Sequence, residues 1–429
     1  MRILYVATQY PLPVNNGVKM RVWSLLRAIA GAGHEITLAT FAEPQDAEGT
    51  GQALGKVCKE TDIVLRHTQS LSGSRNYLAR LAAVFSPLPF TLDRFRSRQM
   101  RTLLERRLDR GDFDVVLCDN IYATINLPPT TLPLVLNSHN VEHLILERYA
   151  EQETNLLKAL YARLEAGKLR RFEAVTYKRA ALVLVCSKLD GELTERLSPA
   201  VRTAVAPNVV DVNEYDMAAS DDPWSPPSPA VGLGGVVDPL TLVYQGGMDW
   251  FPNRDALEYF VRSVFPLVQK EVPEVRLVAA GRNPSVEFRA RFADVAALEF
   301  TGTLADLRPV IAKATVCVVP VRIGSGTRLK ILEAGAMGKA VVSTTIGAEG
   351  LDFVPGKEIL LADVPAEFAR SVVELLHDPA RRKALGQAAR NRVLQDYDMR
   401  ALERSIASAF HSLQQSLRTE ARAQLAQVG

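Results

Sequence analysis

The residues best suited to bind an anion lie in one short stretch of the second half of the chain. An apolar run at residues 316–321 leads into the glycine-bracketed loop 323–327, and a helical pattern follows. Free backbone N–H groups in such a loop and the positive end of the helix dipole favour a negative group. Arg328, Lys330 and Glu333 fall in the first two helical turns, outside the apolar positions. The stretch therefore predicts a site for phosphate and hydroxyl groups.

Lys330 and Glu333 also have a simpler interpretation. They are three positions apart on a helix, so they could form an ordinary exposed ion pair worth roughly a few tenths of a kcal/mol. The loop Gly324–Ser325–Gly326 directly before the helix favours the ligand site instead.

The same strand–loop–helix pattern opens the chain. Residues 2–7 form an apolar strand, a Pro/Asn/Gly loop runs through Gly17, and a helix at 18–30 leads to a strand at 34–41. In open α/β sheets, ligands bind beyond the carboxyl ends of the strands. Gly17 would let the backbone approach a ligand closely, although a plain turn glycine explains it equally well.

Polar side chains follow two further apolar strands of the first half. The strand at 113–118 ends at Asp119, and the strand at 134–136 runs into Asn137–Ser138–His139–Asn140. An imidazole just past the end of a buried strand is well placed to reach a ligand. Most histidines are structural, but the polar cluster around His139 favours a role in a site.

Composition divides the α/β pattern into two parts. Residues 216–239 are rich in Pro, Gly, Ser and Asp, and the strand–helix alternation restarts at 240. We predict an N-terminal α/β domain at 1–207, a linker at 208–239, a C-terminal α/β domain at 240–395 and a helical tail at 396–429 that packs back towards the N-terminal domain. The loop edges of the two domains would face each other across a cleft, where ligand sites are common.

Composition also excludes several classes. A net charge of +3 over 429 residues is too small for a nucleic-acid-binding protein. The four cysteines are far apart, which predicts buried thiols rather than a metal site. No apolar run approaches the roughly 18–20 residues of a membrane span, and the N-terminus lacks the layout of a signal peptide. A cytoplasmic protein is expected.

Two segments of the first half are markedly basic. Residues 77–110 and 158–179 are arginine-rich and mostly helical in pattern. They are either solvated helical faces or surfaces that dock on an anionic membrane, where each basic residue contributes roughly 1 kcal/mol.

These motifs, in this order, resemble the family 4 retaining glycosyltransferases. That family has the GT-B fold, an α/β architecture of two Rossmann-like, doubly wound domains facing each other across a cleft. The resemblance covers nearly the whole chain and is carried by the Gly17 loop, residues 137–140, residues 206–211, residues 246–250 and the block 324–334.

The resemblance implies roles for individual residues. Glu333 would bind the ribose hydroxyls of a nucleotide-sugar donor, and His139 would lie near the transferred sugar; these two are the expected catalytic residues. Gly17 would let the N-terminal domain approach the diphosphate, and Lys19 and Arg21 after it would face the ligands. The expected donor-binding set is Gly17, Gly247, Arg282, Ser325, Gly326, Thr327, Arg328, Lys330 and Glu333.

The sequence departs from the family pattern at two positions. The first glutamate of the E-x7-E motif would fall at Ser325, and Gly247 stands where an arginine usually holds the diphosphate. A leaving diphosphate gains charge and needs cations or amide donors. Arg328 and Lys330 are the best local candidates, with Arg282 a weaker one.

The expected reaction is transfer of a sugar, with retention, from a nucleotide-diphosphate-sugar donor to a hydroxyl of a glycan or lipid-linked acceptor in envelope polysaccharide or glycoconjugate synthesis. No metal or other cofactor is expected, because no Asp-x-Asp motif stands at a strand end of the C-terminal half. The expected partners are the donor, the acceptor and the inner, cytoplasmic face of an anionic membrane. Nucleic acid is not an expected partner.

Three alternatives remain. The departures at Ser325 and Gly247 allow a sugar-nucleotide-binding protein that has lost transfer activity. A nucleotide-sugar epimerase of the same fold would need different acid and base residues. A nicotinamide-dependent oxidoreductase is weaker still, because neither first-strand loop reads G-x-G-x-x-G.

Overall fold

The structure is a computed structural model that describes residues 1–47, 51–66, 83–216, 240–282 and 284–428. The chain forms two compact units, Met1–Asn208 with Arg400–Gly429, and Val209–Met399. Most of the predicted linker, residues 217–239, lies outside the described residues, as does part of the basic segment 77–110. Residues 209–216 differ from the prediction, since they belong to the second unit rather than to a linker.

The first unit is built on a seven-stranded parallel sheet in the order β3-β2-β1-β4-β5-β6-β7. The strand order reverses direction between β1 and β4, and ligands bind at the carboxyl ends of strands around such a switch point. The strands are β1 (Arg2–Ala7), β2 (Glu35–Ala42), β3 (Glu60–Leu65), β4 (Val115–Asp119), β5 (Leu134–Asn137), β6 (Ala180–Val185) and β7 (Thr203–Val205).

Helices cover this sheet, and several of them begin at side-chain caps. Asn16 Oδ1 accepts from the Lys19 amide at 2.9 Å, and Ser187 Oγ accepts from the Asp190 amide at 3.1 Å. The helices are α1 (Gly17–Gly31), α2 (Pro44–Ala47), α3 (Gly51–Gly55), α4 (Phe90–Asp93), α5 (Arg98–Leu108), α6 (Glu142–Gln152), α7 (Leu156–Arg179) and α8 (Lys188–Leu197), with a 3-10 turn at Ala123–Asn126.

The second unit repeats the plan with a six-stranded parallel sheet in the order β10-β9-β8-β11-β12-β13. Its switch point lies between β8 and β11. The strands are β8 (Thr241–Gln245), β9 (Arg276–Ala280), β10 (Leu298–Gly302), β11 (Val316–Val319), β12 (Val341–Ser343) and β13 (Leu360–Leu361).

The helices of the second unit include a short one contributed by the region predicted as linker. They are α9 (Val212–Asp216), α10 (Phe251–Tyr259), a π-helical turn (Phe260–Val264), α11 (Phe265–Glu271), α12 (Val286–Ala290), α13 (Arg308–Ala312), α14 (Leu329–Ala336), α15 (Pro365–His377) and α16 (Pro379–Asp396).

The last helix, α17 (Met399–Val428), belongs from Arg400 onwards to the first unit. The Phe410 ring lies 5.1 Å from the His34 ring, centroid to centroid. The helix therefore packs on the first sheet's own helical layer, at the end of α1 where His34 lies.

The strand β3 and the helix α9 were among the elements missed from sequence. β3 is an edge strand in which Val64 is buried while Ile63 and Leu65 are exposed, so it lacks the continuous apolar run of the central strands. α9 was concealed by the linker composition that follows it. All four cysteines are free and buried, as predicted for Cys118, Cys186 and Cys317. No helix in the described ranges is long and apolar enough to cross a bilayer.

Candidate functional site

Arg328 braces the glycine loop between β11 and α14. Its Nη1 donates to the carbonyl oxygens of Ser325 at 2.5 Å and Gly326 at 2.7 Å. Gly326 has a φ of 71°, which favours glycine. A Cβ at Gly324 would lie 2.2 Å from Arg328 Nη2, so the guanidinium packs directly against the Gly324 backbone. The Arg328 guanidinium therefore shapes the loop ahead of α14, and its predicted contact with a phosphate stays a prediction.

Glu333, one turn into α14, is anchored through both carboxylate oxygens. Oε1 accepts from the Tyr215 hydroxyl at 3.1 Å, and Oε2 accepts from the Gln245 side-chain amide at 2.7 Å. Burial raises the pKa of Glu333, against the opposing effects of the Tyr215 hydrogen bond and the Lys330 charge. Each carboxylate oxygen has two acceptor positions, so the fixed carboxylate can still accept hydrogen bonds from two ligand hydroxyls.

Lys330 lies beside this carboxylate but makes its hydrogen bond elsewhere. Its Nζ is 3.0 Å from Asn253 Oδ1 and 4.8 Å from the centroid of the Tyr244 ring. The simple surface ion pair with Glu333, the alternative interpretation from the sequence, is therefore not the arrangement seen. Burial and, to a smaller extent, the neighbouring Arg328 charge together lower the pKa of Lys330 to about 7, while the Glu333 charge opposes the shift.

Arg282 lies against Gly247, the position where the family pattern has an arginine. A Cβ at Gly247 would be 2.6 Å from Asp249 Oδ1 and 3.5 Å from Arg282 Cγ. Arg282 Nε donates to Asp249 Oδ2 at 3.1 Å. A guanidinium from the loop after β9 thus occupies the space beside Gly247.

Sheet order explains why these residues meet. Gln245 ends β8, Arg282 follows β9 and the loop 323–327 follows β11, and these three strands are neighbours in the sheet. Their carboxyl ends share one edge at the switch point, which is where ligands of such folds bind. Tyr215 completes the group from α9. Sequence reasoning missed Tyr215, because no local signal distinguishes it from a linker residue.

In the first unit, His139 is paired with a buried carboxylate. His139 Nε2 lies 2.7 Å from Asp119 Oδ1, which also accepts from the Asn137 side-chain amide at 2.7 Å and the Tyr5 hydroxyl at 3.2 Å. A carboxylate at this distance requires the imidazole proton on Nε2. The other ring nitrogen, Nδ1, is then left to interact with a ligand.

Arg21 continues this network behind Asn137. Arg21 Nε and Nη2 donate to Asn137 Oδ1 at 3.0 and 2.7 Å, and Nη1 donates to the Ala206 carbonyl at 2.9 Å and to Asn208 Oδ1 at 3.0 Å. The expectation that Arg21 faces a ligand was wrong, because its side chain is buried and its donors are used internally. Lys19 is likewise buried and paired with Asp46 at 2.9 Å.

Asp119 was noticed in the sequence only as a strand end. The sequence feature that could have identified it as a site residue is a carboxylate at the last position of a fully buried strand. A buried carboxylate needs hydrogen-bond partners. The register pairs Asp119 with Asn137 across β4 and β5, which brings the carboxylate to the base of the residue 137–140 motif.

His143, three residues after the 137–140 motif, has a structural role. Its Nδ1 lies 2.5 Å from Glu173 Oε2, and Glu173 Oε1 accepts from the Glu142 amide at 2.7 Å. Glu173 is a buried residue of α7. This cluster fixes the start of α6 on α7, which leaves His139 as the imidazole available for chemistry.

Gly17 is the exposed first residue of α1. Asn16 caps the helix, so the following backbone amides point out from the helix start. This geometry suits the close approach expected at Gly17, whose contact with a diphosphate stays a prediction.

Known proteins match both parts of the chain. Residues 15–214 match the family described as Glycosyltransferase Family 4, and residues 239–378 match Glycosyl transferases group 1. Together the two matches cover about four fifths of the chain. The chain belongs to the family 4 glycosyltransferases. It is therefore a glycosyltransferase, and the expected family, fold class and enzyme class are confirmed.

Individual relatives of this glycosyltransferase are distant but cover nearly its full length. An uncharacterised 44.6 kDa protein in the cps region of Klebsiella pneumoniae is 22% identical over 94% of this chain and 98% of its own. The structure of sucrose-phosphate synthase from Thermosynechococcus elongatus has a TM-score of 0.69 at 17% identity, covering 97% of this chain and 100% of that one. HepE from Anabaena, solved in complex with UDP and glucose, has a TM-score of 0.61 at 16% identity, covering 96% and 100%. These structures share the GT-B fold with this enzyme.

Proposed function

We propose that this glycosyltransferase transfers a sugar, with retention of anomeric configuration, from a nucleotide-diphosphate-sugar donor to a hydroxyl of a glycan or lipid-linked acceptor. The observation that carries the proposal is the Glu333 carboxylate, fixed by Tyr215 and Gln245 beside the Lys330 ammonium at the switch point of the second sheet. A fixed carboxylate beside a cation suits a molecule that presents neighbouring hydroxyls and a diphosphate. A nucleotide sugar has both.

The second unit would bind the donor. Glu333 accepts hydrogen bonds from the ribose hydroxyls, and Lys330 and Arg282 neutralise the diphosphate. The amides of the loop 324–327 and the start of α14 add partial positive charge at the same edge. Ser325, where most members have a glutamate, offers a hydroxyl instead of a carboxylate to the sugar.

In the reaction, bond breaking separates charge between an oxocarbenium-like sugar and the leaving diphosphate. Groups already oriented towards the developing charge lower the barrier without reorganising. Lys330, Arg282 and the loop amides serve this role on the diphosphate, so the proposed reaction needs no metal ion. His139 Nδ1 interacts with the transferred sugar and holds it in the reactive orientation, since Asp119 fixes the other nitrogen.

The acceptor and pathway are proposed from the relatives. The Klebsiella relative lies in a cps region and HepE was crystallised with UDP and glucose. These support a nucleotide-sugar donor and a role in envelope polysaccharide or glycoconjugate synthesis. A lipid-linked acceptor places the enzyme in the cytoplasm, at the inner face of the cytoplasmic membrane.

Release of nucleoside diphosphate from UDP-, GDP- and ADP-sugars tests the proposal. The wild type should release it from one class of donor when an acceptor is supplied, and Glu333→Ala should not. Glu299→Ala, an exposed glutamate on β10, is the matched control and should keep full activity. Donor binding without turnover for any acceptor would instead support the inactive binding protein. Activity retained in Glu333→Ala would remove Glu333 from the site.

A further inference from the structure

α7 (Leu156–Arg179) has an outer face made of large apolar and basic side chains. At about 100° per residue, nine large exposed side chains fall within an arc of about 140°. They are Leu156, Leu157, Leu160, Arg163, Leu164, Arg170, Arg171, Val175 and Lys178. The exposed Lys158 and Arg179 lie outside this arc. The opposite side of the helix, with Ala162, Ala166 and Leu169, is buried. The helix thus has an apolar surface on each side, and the described residues of its own unit bury only one.

The apolar part of the outer face is concentrated in the first three turns. Leu156, Leu157 and Leu160 are 84%, 80% and 65% exposed, and Leu164 follows on the same face. Single exposed leucines are ordinary on a protein surface, but a contiguous group marks an interaction site.

The charge on the exposed part of α7 has one sign. Its two glutamates, Glu165 and Glu173, are both buried. Glu165 pairs with Lys168 at 2.9 Å, and Glu173 bonds to the start of α6. The exposed charged side chains of the helix are Lys158, Arg163, Arg170, Arg171, Lys178 and Arg179. Along the sequence, the acidic residues nearest to α7 are Glu151 and Glu153, which precede the helix.

The helix α5 of the other basic segment is different. On α5, Arg101 pairs with Glu105 at 3.1 Å, and Arg107, largely buried, pairs with Asp62 at 2.6 Å. The apolar residues Met100 and Leu104 of α5 are buried. α5 therefore offers partly neutralised charge and no exposed leucines, whereas α7 offers both charge and apolar area.

We propose that the outer face of α7 docks flat on an anionic lipid bilayer. The leucines enter the boundary between headgroups and acyl chains, and the basic side chains contact lipid phosphates, as in helices that lie in the plane of a membrane. A helix of this length would lie along about 36 Å of surface. The inference rests on the proposed membrane location but not on the donor, since docking requires no nucleotide.

Flotation of the full chain with vesicles tests this surface. Binding should require phosphatidylglycerol in phosphatidylcholine vesicles and should fall at high salt. Leu156→Ser/Leu160→Ser and Arg170→Glu/Arg171→Glu should each weaken binding by roughly tenfold or more. Arg98→Glu/Arg106→Glu reverses two exposed charges on α5 and should leave binding nearly unchanged, although it changes net charge equally.

Three results would overturn the proposal: no vesicle binding, equal binding to vesicles of phosphatidylcholine alone, or equal losses in the α5 and α7 variants. If the wild type does not bind vesicles but forms a dimer, and Leu156→Ser/Leu160→Ser is a monomer, the outer face of α7 is a self-association surface instead. Release of nucleoside diphosphate with a water-soluble acceptor, measured on the same variants, should stay at the wild-type rate. If neither the wild type nor any variant releases nucleoside diphosphate while lipid binding is intact, the result would contradict the proposed function. It would leave the proposed docking surface standing.

Discussion

Asp119 Oδ1 lies 2.7 Å from His139 Nε2, at the joined carboxyl ends of β4 and β5. Asp119 is fully buried, and Asn137 links it to the guanidinium of Arg21. The carboxylate thus selects one tautomer and one orientation of the imidazole, and a fixed positive charge lies one amide away. His139 is held by a network that no single segment of the chain contains.

Asp119→Ala should therefore lower kcat by roughly 10- to 100-fold, because a hydrogen bond to a charged group such as this carboxylate is worth about 1.5–3 kcal/mol. The KM for the donor should change much less, because the donor contacts proposed for the second unit are untouched. Long-range 1H–15N NMR of the imidazole should show the Nε2–H form in the wild type and a mixture of tautomers in the variant.

A double-mutant cycle separates positioning from general destabilisation. If Asp119 acts through His139, Asp119→Ala/His139→Ala should be no slower than His139→Ala alone. Asp119→Asn keeps the side-chain volume and should recover part of the activity. Additive losses, or equal falls in melting temperature and rate, would give Asp119 a purely structural role.

The lowered pKa of Lys330 predicts that donor binding depends on pH. Its pKa of about 7 means that the ammonium is lost as the pH rises above neutrality. Nucleoside diphosphate binding should then require proton uptake and weaken by up to about tenfold per pH unit between pH 7 and about 8.5. The terminal phosphate, with a pKa of about 6, is already ionised in that range.

Lys330→Arg provides the matched control for this titration. A guanidinium stays charged throughout, so the variant should bind with little pH dependence, and Lys330→Ala should bind weakly at every pH. Calorimetric titrations at three pH values decide the matter. A wild-type affinity that is flat over the range would remove Lys330 from the diphosphate site.

Arg282 is expected to supply the cation that Gly247 lacks. Arg282→Ala should weaken binding of the nucleoside diphosphate by roughly tenfold or more, with little effect on the nucleoside alone, because the lost contact is to phosphate. Arg289→Ala, which removes an exposed arginine of α12, is the control. Equal affinities for wild type and Arg282→Ala would show that the guanidinium serves only its bond to Asp249.

Tyr215 is expected to tune Glu333 rather than bind the donor itself. Tyr215→Phe removes one hydrogen bond to Oε1 and should weaken donor binding by roughly 2- to 10-fold, the effect of one hydrogen bond of about 0.5–1.5 kcal/mol. The residue is buried in the second unit, so thermal unfolding must be measured beside the affinity. A large loss of stability with unchanged affinity would assign Tyr215 to folding alone.

The sequence by itself determined the periodic elements and the motifs at their ends. Continuous apolar runs identified most strands, because strands buried on both faces of a parallel sheet have no polar side. The glycine loop, Glu333 and His139 were recognised because each directly follows such a run or lies in the helix after it. The edge strand β3 was missed, since its exposed positions interrupt the apolar run.

Only the tertiary structure decided which side chains contact one another. Arg328 is spaced like a phosphate ligand but braces the loop 324–327, and Lys330 bonds to Asn253 of α10 rather than to its neighbour Glu333. Asp119 meets His139, and Tyr215 meets Glu333, across 20 and 118 residues of chain. The order of the strands and the packing of the helices bring these distant residues into contact. That arrangement depends on how whole elements bury their apolar faces together. Local residue patterns therefore located the candidate site, while long-range packing selected the groups that complete it.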